Sequence, residues 1–559
     1  MQRKRLAMVL LVLAIFGGAF ARAASEASKK HPPAKSSATS GEPRRAPVAK
    51  PFKTKTKKGR RPNSFKSSST KFAATKPTTT RTTSKSISTP TTHRRATLRA
   101  ASISLGSREV ITSRIMRTLA NPRLGIENPA ALHAFFDQLH QLQADPKGQL
   151  IRVIQFGDSH TAADIFSGAL RTLFQNKFGD GGAGFSYPGY PFAGYHIHGT
   201  KRAQSTGWSV LGTHLSDIGD GMVGMGGVSL STDAAGNWVS LDAEASSLQI
   251  QYLIQPNGGT IEIRDNDQLL ATISTATGQA LTPAATTQPT PNGKKASLSA
   301  DSTQTDATDA VAIDPDQTPL PQTPQTQSVG TPATTLPTGE VSAGHYNTAI
   351  PAGHHHIEVL TTEAAPVRLL GLSTENAAGV TYEAAGINGA EASLFLRWNE
   401  AIQQTLMAET NPALIVLAYG TNEAGDRNWT EETYASLLRR IIERCRRLAP
   451  NASILVVGPP DRALRNGRHG WVAFAGVDRI VQAQRAVCRQ MNCAYWDQRS
   501  RMGGFGSIRD WVAISWAQPD HTHFTGEGYN ELASALFSDI VQQYDAYLPP
   551  LVRAQSETK

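Results

Sequence analysis

Four short stretches of this 559-residue chain place a hydroxyl, amide donors and a carboxylate–imidazole pair beside runs that read as strands or helix starts. The first is Gly157-Asp158-Ser159-His160, directly after the apolar run IRVIQF. A hydroxyl at the carboxyl end of a buried strand lies where ligands collect in α/β sheets. Backbone N–H groups of a following helix can face a developing oxyanion there. Ser159 or Asp158 would serve equally well as a helix cap. The second stretch, Gly386-Ile387-Asn388-Gly389-Ala390, allows positive φ or close backbone approach, or is an ordinary turn. The third, Ala418-Tyr419-Gly420-Thr421-Asn422-Glu423, follows a buried strand. Its Asn422 amide can donate to an oxyanion or close an Asx-turn. The fourth, Gln518-Pro519-Asp520-His521-Thr522-His523, precedes the last helical pattern. A carboxylate three residues from an imidazole can hold one ring nitrogen and leave the other as a base. Spacing alone leaves His521 as well as His523 open.

The elements that must position these groups follow from periodicity. DIFSGALRTLFQNKF after the serine is apolar at three-and-four spacing, which makes a strand–turn–helix with Ser159 at the turn. ITSRIMRTLANP and NPAALHAFFDQLHQLQ precede it as helices, with a start at Asn128-Pro129. From about 385, helical SLFLRWNEAIQQTLMAE, the strand ALIVLAYG, helical TYASLLRRIIERCRRLAP, the strand ASILVVGPPD and helical DRIVQAQRAVCRQMN alternate to the last helix, GYNELASALFSDIVQQYDAYL. Such alternation predicts a parallel sheet covered on both faces. Between these halves lie short alternating runs such as NWVSLDA, SLQIQYLIQ and GTIEIRD, punctuated by Gly and Asn, the pattern of an antiparallel sandwich. The predicted organisation is one α/β domain split between 105–199 and 384–559, with a β domain inserted at 200–383. A Thr/Gln/Pro/Ala/Asp tract at 278–340 reads as a disordered loop within the insert.

Composition is uneven. Residues 1–23 have a basic start, an apolar run and Ala21-Arg22-Ala23, a secretory-signal pattern with an uncleaved anchor as the alternative. Residues 24–104 hold 20 Lys+Arg against 2 Glu and almost no large apolar side chains, a composition expected to be disordered. The first 23 residues add four Lys+Arg, so of the formal +11 the remaining residues 105–559 carry −11. An acidic body on a basic tether predicts contact of the tether with anionic envelope polymers or a membrane surface, or a solvated spacer. Nucleic acid is excluded by the export signal and by the absence of interleaved aromatics. Exported, periplasmic or envelope-associated placement is expected. Cys488 and Cys493 are close enough in sequence to pair in an oxidising compartment, and Cys445 falls in a helical pattern and should be buried. No metal-ligand spacing appears. His354-His355-His356 lies at a strand start and reads as surface histidines.

Together, and in this order, Gly157-Asp158-Ser159, the glycine turn near 389, Gly420-Thr421-Asn422 and Asp520-x-x-His523 resemble the four sequence blocks of SGNH hydrolases, a branch of the GDSL superfamily. HFTGEGYNELA resembles that family's last block. The resemblance covers the α/β part and implies a three-layer, flavodoxin-like fold. It implies Ser159 as nucleophile, His523 as base and Asp520 as its orienting carboxylate. The oxyanion hole would comprise the Ser159 N–H, the Gly389 N–H (with Gly386 as alternative) and the Asn422 side chain. No cofactor and no metal are implied. Asp158 and His160 stand outside the triad, His160 marking the subfamily or shaping the pocket.

GDSH rather than GDSL, the following FGDGGAGF, a β insert and GINGA at re-entry are more narrowly similar to bacterial peptidoglycan O-acetylesterases, whose insert is carbohydrate-binding-like. The basic tether and the tract inside the insert depart from that pattern. The implied activity is removal of O-acetyl groups from a cell-envelope glycan, acetylated muramic acid of peptidoglycan, through an acetyl-serine. An O-acetyltransferase using the same acyl-enzyme is the alternative, and a non-catalytic wall-binding protein is the second.

Overall fold

The computed structural model describes residues 108–213, 218–278 and 340–548. The signal-like 1–23, the basic 24–104 and the tract between Gly278 and Glu340 lie outside the described residues. Among those described, no helix is long and apolar enough to cross a membrane.

In chain order the strands are β1 (Leu150–Gly157), β2 (Gly184–Ser186), β3 (Lys201–Gln204), β4 (Ser209–Leu211), β5 (Ser229–Thr232), β6 (Trp238–Ile254), β7 (Thr260–Asp265) and β8 (Gln268–Ser274). After the tract come β9 (Ser342–Thr361), β10 (Val367–Glu375), β11 (Gly379–Gly386), β12 (Leu414–Ala418), β13 (Ser453–Val457), β14 (Ala463–Arg465), β15 (Trp471–Ala473) and β16 (Ala494–Trp496).

The parallel sheet has the order β11-β1-β12-β13-β16. Counted along the chain that is 2-1-3-4-5, the flavodoxin-like order, whose switch point lies between the first and third strands. Alternate side chains separate two cores. Val153, Val416, Leu455 and Trp496 pack under the helices Arg108–Leu119, His133–Ala144, Ile165–Phe178 and Gly526–Tyr547. Ile154, Ile415, Ile454 and Tyr495 pack under Glu400–Thr410, Glu431–Leu448 and Gly476–Gln490. This is the expected three-layer arrangement. Helix Ile165–Phe178 shows how the sequence makes it: Phe166, Leu170, Phe174 and Phe178 form one buried stripe at every fourth residue.

Strands β2–β10 form one connected antiparallel sheet of nine strands. β6 and β9 pair along most of their length, with a bulge between Ala245 and Ser247 that separates two halves. One half continues into β10 and β5, the other into β7 and β8. Leu369 and Ile250 from one half share a buried core with Ile263 and Val359 from the other. Leu253 and Leu370 of this sheet enter the same core as Phe156 and Phe395, so the antiparallel region buttresses the parallel one.

Several expectations need correction. β11 starts the return to the parallel sheet at Gly379 rather than 384, and Gly184–Ser186 pair with β10 rather than belonging with the α/β half. β11 hides in the sequence because Glu383 interrupts its apolar run. Its side chain is fully buried, accepts from Thr381 at 3.1 Å, and burial pushes its carboxyl up to about 7. SLFLRWNEAIQQTLMAE is not one helix: a 3₁₀ turn at Ala392–Arg397 ends before Asn399, whose side chain caps Glu400–Thr410. His355 is buried rather than on the surface, its ring nitrogens satisfied by Asp265 at 2.8 Å and the Pro351 carbonyl at 2.6 Å. Cys488 and Cys493 are free buried thiols; the helix C-terminus brings their backbones together (Cys493 N–H to the Cys488 carbonyl, 2.9 Å) without joining the sulfurs. Burial pushes the Cys445 and Cys493 thiols up to about 12 and 11.

Candidate active site

β1 ends in a steep turn that glycines make possible. Gly157 pairs with Gly386 of β11 and Ala418 of β12. A Cβ on Gly157 would meet Thr161 Oγ1 at 2.2 Å, and one on Gly386 would meet the Ala162 nitrogen at 2.4 Å. The four-residue helix Ser159–Ala162 therefore fits between two strand ends only where both lack side chains. Asp158 caps it, accepting from the His160 N–H at 3.0 Å. A buried chain braces it: Tyr382 donates to Gln155, whose amide donates to Thr161, each at 2.7 Å. So the cap is Asp158, and Ser159 is left as the first residue of the turn.

The loop Ala517–Thr525 brings in the second half of the site. Phe524 is fully buried against Trp511 and Tyr529, and backbone bonds Gln518 N–H to His523 carbonyl and Thr525 N–H to Trp516 carbonyl close the loop. His523 Nε2 then lies 2.9 Å from Ser159 Oγ, and His523 Nδ1 lies 2.7 Å from Asp520 Oδ2. The other Asp520 oxygen accepts the backbone N–H groups of Thr522 and His523, both at 3.0 Å. Partial burial pushes the Asp520 carboxyl up, but these hydrogen bonds outweigh it and hold it below the ordinary carboxylate range. Both distances to His523 fall within the reach expected of a nucleophile–base–carboxylate relay. The relay opens to solvent, the side chains of His523 and Asp520 being 36% and 46% exposed. His521 takes no part. It adopts φ 55°, is buried, and stacks on Trp471 at 4.2 Å between ring centroids.

Across the switch point, β12 leads through Gly420 (φ 125°) into the short helix Thr421–Gly425. Asn422 donates one amide hydrogen to the Ala390 carbonyl at 2.8 Å, which fixes its plane and leaves the second hydrogen available. Residues 387–390 form a turn closed by the Ala390 N–H on the Ile387 carbonyl, with exposed Gly389 at φ 74° in the third position. That is the φ a type II turn demands there. Gly386, by contrast, is the buried strand partner of Gly157.

Three further groups shape the site: His160, expected to mark the subfamily or shape the pocket, and Glu423 and Arg462, which had not stood out in the sequence. Glu423, fully buried, accepts the Ala392 N–H at 2.7 Å, so neighbouring side chains Asn422 and Glu423 grip both ends of the 390–392 segment. Burial pushes the Glu423 carboxyl up to about 8 against the pull of that N–H. His160 is buried with Nδ1 2.9 Å from the Tyr529 hydroxyl and its ring 5.3 Å from that of His523. Burial, reinforced by the charges of His523 and Arg462, pushes it down to about 4. It is thus a neutral spacer that ties the serine turn to the last helix. Arg462 donates to the Thr421 carbonyl at 2.6 Å, and its charge acts on Asp158 and Asp520.

Residues 360–530 match the GDSL-like Lipase/Acylhydrolase family. The match excludes β1 and Ser159, which the fold inserts between β11 and β12. A solved structure described as "Peptidoglycan O-acetylesterase in action, 5 min" is similar over 74% of this chain and 96% of its own, with a TM-score of 0.55 and 23% identity, and so shares the fold. A family two carbohydrate esterase from Clostridium thermocellum, solved with cellohexaose, aligns over 60% of this chain and 99% of its own, at a TM-score of 0.22 and 12% identity. No curated protein matches in sequence. Residues 360–530 thus carry the pattern of the GDSL-like lipase/acylhydrolase family, and the chain as a whole shares the fold of the solved O-acetylesterase structure.

Proposed function

We propose that the protein is a serine O-acetylesterase that removes acetyl groups from a cell-envelope glycan, the acetylated muramic acid of peptidoglycan, through an acetyl-Ser159 intermediate. The observation that carries this reading is the contact of Ser159 with His523 at 2.9 Å and of His523 with Asp520 at 2.7 Å. Ser159 Oγ attacks the acetyl carbonyl as His523 Nε2 takes its proton, and Asp520 keeps the other ring nitrogen protonated and the ring aligned. The tetrahedral oxyanion is held by the Ser159 N–H, the Gly389 N–H and the free amide hydrogen of Asn422. His523 returns the proton to the departing sugar oxygen. Water then attacks the acetyl-enzyme with His523 as base, releasing acetate.

The solvent-open relay supports hydrolysis over transfer to a second sugar, since transfer requires water to be kept from the acyl-enzyme. The choice of glycan draws on the fold shared with a structure described as a peptidoglycan O-acetylesterase. An export-type leader and a basic tether on an acidic body support placement in the periplasm or at the envelope, with the tether against anionic polymers or lipid head groups. Acetate release from O-acetylated peptidoglycan, compared with acetylated xylan and small aryl acetates, tests the reading. Release from peptidoglycan is expected to be fastest and to vanish in Ser159→Ala with the fold intact. Near-normal release by that variant, or acetylation of an added glycan acceptor in place of free acetate, would sink it.

A further inference from the structure

The β14–β15 hairpin is fixed at its base to both halves of the active site. The Ala463 N–H donates to the His521 carbonyl at 3.0 Å, and Trp471 stacks on the His521 ring, next to Asp520 in the chain. On the other side Arg462 holds the Thr421 carbonyl, next to Asn422. The hairpin thus bridges the loop that carries the base and the helix that carries the amide donor.

Its far end projects into solvent. Residues 464–470 are all exposed, as is Val472, and the stretch from Arg462 to Val477 holds three arginines and His469 with no acidic residue. Arg465, Arg468 and the nearby Arg509 form no ion pair among the described residues. Beside the hairpin, the left-handed glycines 503, 504 and 506 present Phe505 59% exposed. A groove of about 440 Å³ lies between the helix Arg108–Leu119 and residues 502–510, lined by Arg114, Phe505, Arg509 and Asp510, and meets the hairpin at Ala473. Arg509 also acts electrostatically on His521 of the catalytic loop.

The hairpin is thus a basic rim without acidic residues of its own, with exposed apolar side chains, on a body whose residues 105–559 carry −11. It suits a polymer with regularly spaced carboxylates and apolar sugar faces: guanidinium groups pair with carboxylates, and Leu464, Val472 and Phe505 cover ring faces. We propose that the β14–β15 hairpin is a substrate-binding rim that holds the carboxylates of a glycan strand laid across the catalytic loop. This rests on the reading of the substrate as an acetylated envelope glycan.

The test uses the full chain with the double charge reversal Arg465→Glu/Arg468→Glu, at exposed positions outside the triad. The substrates are a small aryl acetate, O-acetylated peptidoglycan fragments with free carboxylates, and the same fragments with those carboxylates amidated. On the anionic fragments kcat/KM should fall about tenfold or more, mainly through KM, and lose its salt sensitivity. The aryl acetate and the amidated fragments should change less than about twofold, since neutral substrates feel little from rim charges. An equal loss on all three substrates, or no loss on the anionic one, overturns the rim while leaving the esterase reading intact. If the unmodified enzyme cleaves aryl acetate but no acetylated glycan, the glycan reading fails and the rim fails with it.

Discussion

Asp520→Asn tests the relay through its hydrogen-bond directions. In the structure Asp520 Oδ1 accepts two backbone N–H groups, and Oδ2 faces His523 Nδ1 at 2.7 Å. An asparagine keeps its single oxygen where the two backbone donors are, which turns its NH₂ toward His523. Nδ1 must then accept rather than donate, and the ring proton moves to Nε2, the nitrogen facing Ser159 Oγ at 2.9 Å. A base that already holds a proton cannot take another. In a buried triad this exchange of tautomers costs about 10⁴ in kcat. Here the Asp520 and His523 side chains are 46% and 36% exposed, so water helps the tautomers interconvert and screens the lost charge. We expect a loss of about 10²–10³ in kcat, or ~3–4 kcal/mol in the barrier. Asp520→Ala should retain more activity than Asp520→Asn, because water can accept from Nδ1 and preserve the working tautomer. The assay is kcat on an aryl acetate, with thermal melting as a check on folding. An asparagine variant within about tenfold of the parent, or one more active than the alanine variant, would refute the relay.

Asn422→Ala should lower kcat on the same substrate by about 10²–10³ with little change in KM, since an oxyanion donor acts mainly in the transition state. An unchanged kcat would remove Asn422 from the hole. His160→Gln addresses stability. The folded pKa of about 4 lies below the ordinary 6.5, so the unfolded chain takes up the proton first. The contribution is complete above pH 6.5 and is lost as pH falls toward 4, by ~3 kcal/mol over the window. The melting temperature of the parent should fall faster than that of the variant between pH 7 and 4.5, and parallel curves would contradict a buried neutral imidazole.

The chemistry was legible because Ser159 and Asn422 follow apolar runs that become strands of the parallel sheet, and because Asp520-x-x-His523 before the last helix completes the order of blocks that resembles SGNH hydrolases. What stayed hidden depends on burial that sequence does not display. Glu383 looks like a break in a strand until it is seen fully buried within β11, and that concealed the strand flanking the nucleophile. Spacing left His521 open beside His523 and the resemblance named His523; the left-handed backbone and the Trp471 stacking that occupy His521 are not visible in spacing. Glu423, His160 and Arg462 act through partners 31, 369 and 41 residues away, separations that no local pattern encodes.

The insertion of β1 between β11 and β12 bears on how the enzyme comes into being. The strand that carries the nucleophile is made early, yet both of its neighbours are made only after the antiparallel sheet and the long tract. Until Gly379–Gly386 and Leu414–Ala418 arrive, β1 has both edges unpaired, a state slow to resolve and prone to sticking. The base arrives later still, on the loop before the final helix. On the proposed mechanism a chain that ends before residue 523 therefore holds the serine without its base, and one that ends before residue 422 lacks the amide donor as well, so ester cleavage would wait on nearly the whole chain.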